Sequence, residues 1–253
     1  MSKLADLLTN LADLFDYKEY DGDLDEKEYG LAIMMLLQDF TKKYSSKPYS
    51  YIEKHFDDDC KRLEEKLLQV NEKQFEKYEN AQVKNQLIRE NIPPKNHKKV
   101  NLKYDVKTTK VVADTTIKNI ITSLRNEVKL NIQVMKDNGR DEDFNIEPKL
   151  KQAIQRLKRC VKYTTGKISQ RVRRGMQGFK YGEDMLYTWQ SAHLDNTCGW
   201  CLHQETLEPR RKDDWEEDHI HGNCELIPIE EKLSAPYKEL AYAYEDYFEE
   251  EDD

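Results

Sequence analysis

Cys198-Gly199-Trp200-Cys201 and, after nineteen intervening residues, His221-Gly222-Asn223-Cys224 place three thiols and an imidazole in two short knuckles. Each two-residue gap lets the two side chains of one turn converge on a single ion, and Cys3His is a common ligand set for tetrahedral Zn2+. The set predicted here is Cys198, Cys201, His221 and Cys224, with His219, His193 and His203 as neighbouring alternatives for the imidazole. Four protein ligands leave no open position, so the predicted Zn2+ is structural and not catalytic. The plainer reading is three buried thiols without a metal, since Cys packs well as a small apolar residue. Zinc is preferred because the region is poor in apolar residues and needs a staple to fold.

A second pattern is electrostatic. Between Lys149 and Lys180 the chain carries eleven basic residues and no Asp or Glu, inside a protein of net charge −8. Lys158, Arg159, Lys162, Lys167, Arg171, Arg173 and Arg174 are its densest part. Such segregation points to phosphate, with affinity from released counterions and no reading of base sequence. A solvated helix face, or a dock for an acidic protein surface such as the tail Glu249-Glu250-Glu251-Asp252-Asp253, explains the same charges. A third pattern, Asp218-His219-Ile220 after a C-x2-C pair, is suggestive of an HNH nuclease, in which a His acts as general base beside a metal. No Gly-Gly, Asn-Leu or second C-x2-C follows, and Cys224 comes too soon for the helix that motif requires.

The elements that would hold these residues are mostly helices. Nine Gly and seven Pro in 253 residues are too few for the hairpins of an all-β fold. Leu4, Leu7, Leu8, Leu11, Leu14 and Phe15 space a short amphipathic helix behind Ser2. Leu31 to Leu37 is an unbroken run of long apolar side chains, which predicts a buried helix. From Tyr49 to Asn91 there is neither Gly nor Pro, and Ile52, Phe56, Cys60, Leu63, Leu67 and Val70 form a heptad-like seam. A helix of that length would reach about 60 Å, so it is expected to project or to pair with another chain, including a second copy through residues 49–91.

Lys-rich 95–112, with Val100, Leu102, Tyr104 and Val106 alternating, reads as a basic loop or edge strand. Ile117 to Met135 marks the next helix, ending at Asp137-Asn138-Gly139. Another begins near Pro148, a further one follows Gly166, and Gly182 closes the helical region. Leu186-Tyr187-Thr188-Trp189 is β-prone and opens a small second domain, and a tail helix follows Ala235-Pro236. The expected fold is therefore mainly α, with long helices and a small zinc-stabilised α+β C-terminal module. Its predicted divisions are 1–94, 95–183, 184–230 and 231–253.

Five cysteines, an odd number, argue against a disulfide framework. No run of about 18 apolar residues occurs, and an acid stands at Asp6 where a secretory signal is apolar, so neither export nor a membrane span is expected. A mean hydropathy of −0.94 suits helices with one narrow apolar stripe completed by a partner.

The stretch from Tyr187 to Cys201, Tyr-Thr-Trp-Gln-Ser-Ala-His-Leu-Asp-Asn-Thr-Cys-Gly-Trp-Cys, resembles the C-terminal domain of phage minor head, or head morphogenesis, proteins of the Mu F-like group. In that family a Trp-led strand runs into an Asp-x-x-Cys-x-x-Cys turn, and a variable loop ends in His-Pro-Asn-Cys-Arg-Cys. His221, Asn223 and Cys224 match that ending, whereas Gly222, Glu225 and Leu226 stand where the family has Pro, Arg and the last Cys. The likeness covers about residues 160–230. It implies a low-copy, non-enzymatic head protein that contacts the portal or major capsid protein and packaged double-stranded DNA, located in the phage head interior after assembly in the host cytoplasm. The rival expectations are an HNH-like metal-dependent DNA nuclease and a zinc-containing helical adaptor.

Overall fold

The computed structural model describes residues 24–45, 47–139, 144–191, 199–215, 225–230 and 232–241. Helix α1, Leu24–Ser45, starts with Asp25 and Glu26 and ends with Lys42 and Lys43, each charge opposing the end of the helix dipole it sits on. Its buried side chains, Tyr29, Ile33, Met34, Leu37, Phe40 and Tyr44, step by three or four residues apart from the adjacent Ile33 and Met34, and form one stripe. The apolar run at 31–37 is thus helical as predicted, though Met35 on the far side stays exposed.

Helix α2 runs unbroken from Tyr49 to Arg89. It stops where Asn91 adopts a left-handed φ of 54° and the Ile92 N–H bonds back to the Leu87 carbonyl, a helix end for which Asn is the usual substitute for Gly. Pro93 and Pro94 then bar continuation. The seam Ile52, Phe56, Cys60, Leu63 and Leu67 is buried, but by this chain. Helix α3, Lys107–Asp137, and helix α4, Glu147–Tyr181, pack with α2 and with each other, while α1 packs on α2 and α4. One apolar cluster holds side chains of all four helices, from Tyr29 to Val161, and so includes residues on both sides of position 94. The expectation that α2 projects or needs a partner chain is corrected by this cover. A narrow stripe is enough when three neighbouring helices each supply one.

Polar contacts set the helix registers. Asp57 of α2 takes Lys129 at 2.6 Å and Arg125 at 3.3 Å from α3, and Glu127 of α3 takes Lys149 of α4 at 2.7 Å. In the core Asn71 receives the Tyr29 hydroxyl and donates to Asp114 at 2.8 Å, linking α1, α2 and α3. A buried amide whose donor and acceptor both find partners resists sliding of one helix along the next.

Two local expectations are revised. Of the two readings of the Lys-rich segment the loop holds for residues 101–106 and the edge strand does not, while 107–112 open α3: the alternation is real, with Leu102 and Tyr104 turned in and Val106 buried, but they lie on Phe75, Tyr78, Ile168 and Val172 of two helices, with no strand beside them. Nor does Gly166 interrupt α4, a single 35-residue helix. Thr164 and Thr165 bond to carbonyls three and four residues back, and the flanking turns are buried, which outweighs the roughly 1 kcal/mol that a mid-helix Gly costs.

After Gly182, whose φ of 93° turns the chain out of α4, β1 (Leu186–Gln190) forms the centre of a three-stranded antiparallel sheet in the order β2-β1-β3. Strand β2 is Arg210–Arg211 and β3 is Glu225–Pro228. Helix α5, Gly199–Glu205, lies between β1 and β2, and helix α6, Ala235–Ala241, returns to α4. The chain is mainly helical with a small sheet, as expected. The predicted helix at 4–15 and the acidic tail lie outside the described residues.

Candidate functional site

The small module is built around aromatic side chains. Tyr187 and Trp189 point inward from β1, and with Cys201, Trp215 and Leu226 they make its buried core. The Trp189 ring meets Trp200 edge-on at 5.4 Å and Trp215 at 6.0 Å, geometries that aromatic quadrupoles favour. The Trp215 indole N–H donates to the Tyr187 carbonyl at 3.1 Å, and burial pushes the Tyr187 phenol up to about 12.

Of the predicted zinc ligands, Cys201 is described, on α5 and 3% exposed. Cys198, His221 and Cys224 lie outside the described residues, as do His193 and His219. The described chain nonetheless brackets them. Cys198 directly precedes α5, which is fixed to β1 by the Glu205 carboxylate accepting the Ser191 N–H. Cys224 directly precedes β3, whose first residue, Glu225, is the Cα partner of Gln190 in β1. His203 is exposed on α5 while Cys201, two residues and about 200° away, is buried, so the two do not share a face. Among the described residues no group of three or more His, Cys, Asp or Glu gathers as a metal site.

Two buried polar groups sit beside this bracket. Trp189 Nε1 and Ser191 Oγ have no hydrogen-bond partner among the described residues. Such orphaned donors are rare in folded proteins, and each needs an acceptor.

The basic run of α4 does not form one face. Lys149 is matched with Glu127, Lys151 approaches Glu147 at 4.0 Å, Lys180 pairs with Glu90 at 2.7 Å, and Arg156 donates to Ser123 at 3.2 Å. Lys167, expected to meet phosphate, is 7% exposed, with its ammonium over the Tyr163 ring and 3.4 Å from Gln170 Oε1. It is therefore no part of an outer surface. Arg159 and Lys162 are exposed, and the half-buried Arg173 falls within about 60° of them around the helix. Lys158 is half-buried. Arg171 and Arg174 face the module instead, the latter donating to the Trp215 carbonyl at 3.4 Å.

No family model, curated protein or solved structure matches this chain.

What sequence reasoning missed is the seam between α4 and the module. Gln177 donates to the Leu226 carbonyl at 2.8 Å and accepts the Tyr187 hydroxyl on its own carbonyl at 3.3 Å, tying the helix to β1 and β3 together. Gly175 and Gly178, one turn apart, let other chain segments lie against the helix: a Cβ at 175 would meet the Lys103 carbonyl and Tyr104 at 3.2 Å, and one at 178 would collide with the Lys212 side chain. That G-x-x-G spacing was the available signal. Among the described residues no helix is long and apolar enough to cross a membrane.

Proposed function

We propose that this protein is a phage minor head protein, associated with portal or capsid and with packaged DNA, whose C-terminal module is held by one structural Zn2+. The observation that carries the reading is a sequence pattern, Trp189 followed by Asp195-x-x-Cys198-x-x-Cys201 and then by His221-x-Asn223-Cys224. In support, Trp189 lies in a true strand, Cys201 is buried against it, and the chain after Cys224 returns at once to pair with that strand.

The donors suit zinc. Cys198, Cys201, His221 and Cys224 would hold the ion in a closed tetrahedral set that stabilises the fold and offers no position for substrate. Metal-bound thiolates are strong acceptors, and the unpartnered Trp189 N–H and Ser191 hydroxyl are the kind of outer donors that such ligands take. Arg159, Lys162 and Arg173 form the ridge offered to DNA phosphates. The nuclease reading rests on Asp218 and His219 alone, and the adaptor reading loses its motive now that the α2 seam is covered from within. Mass spectrometry of purified virions tests the reading: the protein is expected in the particle, and its absence from procapsids and mature heads overturns it.

A further inference from the structure

A cleft of about 500 Å3 lies between α4 and the segment that follows β2. Its floor is the α4 face carrying Arg171, Arg174 and Gly175. Its walls are Lys103, Tyr104 and Asp105 on one side and Lys212, Asp213 and Trp215 on the other, with Glu183 at the end. That volume is within the range that takes nucleotide-sized ligands.

Lys212 decides what the cleft is for. It is 4% exposed, its stem lies across Gly178, and its ammonium has no hydrogen bond or ion pair among the described residues. The acids nearby make no bond to it: Glu183 takes Lys103 at 3.0 Å and feels the Lys212 charge only at longer range, and Asp105 accepts the Lys107 N–H at 2.8 Å. Asp213 is exposed beside the cleft and makes no bond to the ammonium. Burying an ammonium with no acid bonded to it is costly, and natural sequences do so where a further anion is supplied. Two guanidiniums one helical turn apart on the same floor add planar donors that match oxyanion geometry. Tyr104 and Trp215 border the same space.

We infer that this cleft is a phosphate-group site, with Lys212 as its buried anchor and Arg171 and Arg174 as the forks that orient the oxygens. The phosphate comes either as a free anion or nucleotide, or as the backbone of a nucleic acid. The inference needs no virion and stands whether or not the head-protein reading does.

The test uses the full chain and two probes, inorganic phosphate and a short DNA duplex, each in buffer of matched ionic strength. Phosphate is expected to raise the melting temperature of the parent and to leave Lys212→Met unmoved, with apparent affinity at least about tenfold weaker in the variant. In phosphate-free buffer Lys212→Met should melt no lower than the parent, because the removed charge had no partner. Lys212→Arg should keep part of the response, and Lys118→Glu, exposed on α3 away from the cleft, all of it. Duplex binding that falls in Lys212→Met assigns the site to nucleic-acid backbone, whereas duplex binding unchanged beside a lost phosphate response assigns it to a free anion. An equal phosphate response in parent and Lys212→Met overturns the site. So does the absence of any response of the parent to phosphate and to duplex, and a Lys212→Met that then melts well below the parent shows an ammonium held by the chain itself.

Discussion

Gln190 and Glu225 are Cα partners across the antiparallel pair β1 and β3, so the residue after Cys224 is fixed beside the strand that leads towards Cys198. Two knuckles separated by nineteen residues of chain are thereby anchored to one strand, from Gly199 on one side and Glu225 on the other. In a reduced chain this anchoring has only five buried core side chains behind it.

Zinc is therefore expected to copurify at about one per chain, because its binding free energy is folding free energy for the module. Chelation should loosen residues 186–230 before the helices. Cys201→Ser should lower the zinc content far more than His219→Ala does, as measured by elemental analysis; the reverse order would make His219 the imidazole ligand. Protein purified without chelator or oxidant and found free of metal would sink the site.

The two cysteines of the bundle should behave oppositely to those of the knuckles. Burial pushes the Cys60 thiol up to about 12 and the Cys160 thiol up to about 11, and Cys160 also lies 3.8 Å from the Ala113 carbonyl. Thiolate is the reactive form, so both should resist alkylation at pH 8 until the protein unfolds. Peptide mapping should show the module cysteines labelled after chelation while Cys60 and Cys160 remain unmodified. Labelling of Cys60 in the native protein would contradict its place in the core.

Acid should weaken the bundle at Asp57. The Lys129 hydrogen bond holds its carboxyl below the usual 3.8 against an opposing effect of burial, with Lys61 and Arg125 adding to the depression. A depressed folded pKa means that the unfolded chain binds the proton first. The stabilisation is complete above the unfolded value, near pH 4, and is lost as pH falls through the folded one. Asp57→Asn should remove about 1 kcal/mol at pH 7 and flatten that part of the acid limb. Urea titrations at a series of pH values measure both effects, and an unchanged limb would show that the α2–α3 ion pairs contribute nothing to stability.

The helices were legible because their signal is local: Leu31 to Leu37 is an unbroken apolar run, and Ile52 to Leu67 carry their stripe in the spacing itself. Partnership was not. Nothing in the 49–91 seam says whether its cover comes from α1, α3 and α4 or from a second chain, since the same stripe serves both. Likewise the basic run on α4 is a property of one segment, and the acids that occupy part of it, Glu127 and Glu90, lie 22 and 90 residues away. The strand carrying Trp189 was legible from β-prone residues. Its tie to Gln177 and the cleft at Lys212 depend on two helical glycines, which composition registers only as weak helix formers.

DNA binding should follow exposure and not the count of basic residues. Replacing Arg159, Lys162 and Arg173 together by Glu should abolish duplex retention at low salt and leave zinc content and melting unchanged. Lys149→Ala should instead cost stability, because its ammonium serves Glu127. Losing three phosphate contacts reduces the salt slope by about 3. Filter binding across a salt series reads both quantities. Equal binding by mutant and parent would give the ridge to an acidic protein surface.

The last prediction concerns place. A chain of net charge −8 that turns an exposed basic ridge outward from one helix suits a molecule set between a protein wall and packaged DNA. Its acidic end, Glu249 to Asp253, is charged to compete for the same ridge in the free protein. Deleting residues 245–253 should then raise the affinity of the free protein for duplex by several-fold at low salt, an effect that vanishes when Arg159, Lys162 and Arg173 are also reversed. In the particle the protein should be present in few copies, protected from external protease and retained after nuclease treatment of the outside. The uncharged outer side of α3, with Val112, Asn119, Asn126, Leu130 and Val134 exposed, is the surface to cross-link to portal or capsid. Quantitative mass spectrometry of nuclease-treated virions and of procapsids decides it: a non-structural accessory protein would be missing from both, however well it binds DNA in solution.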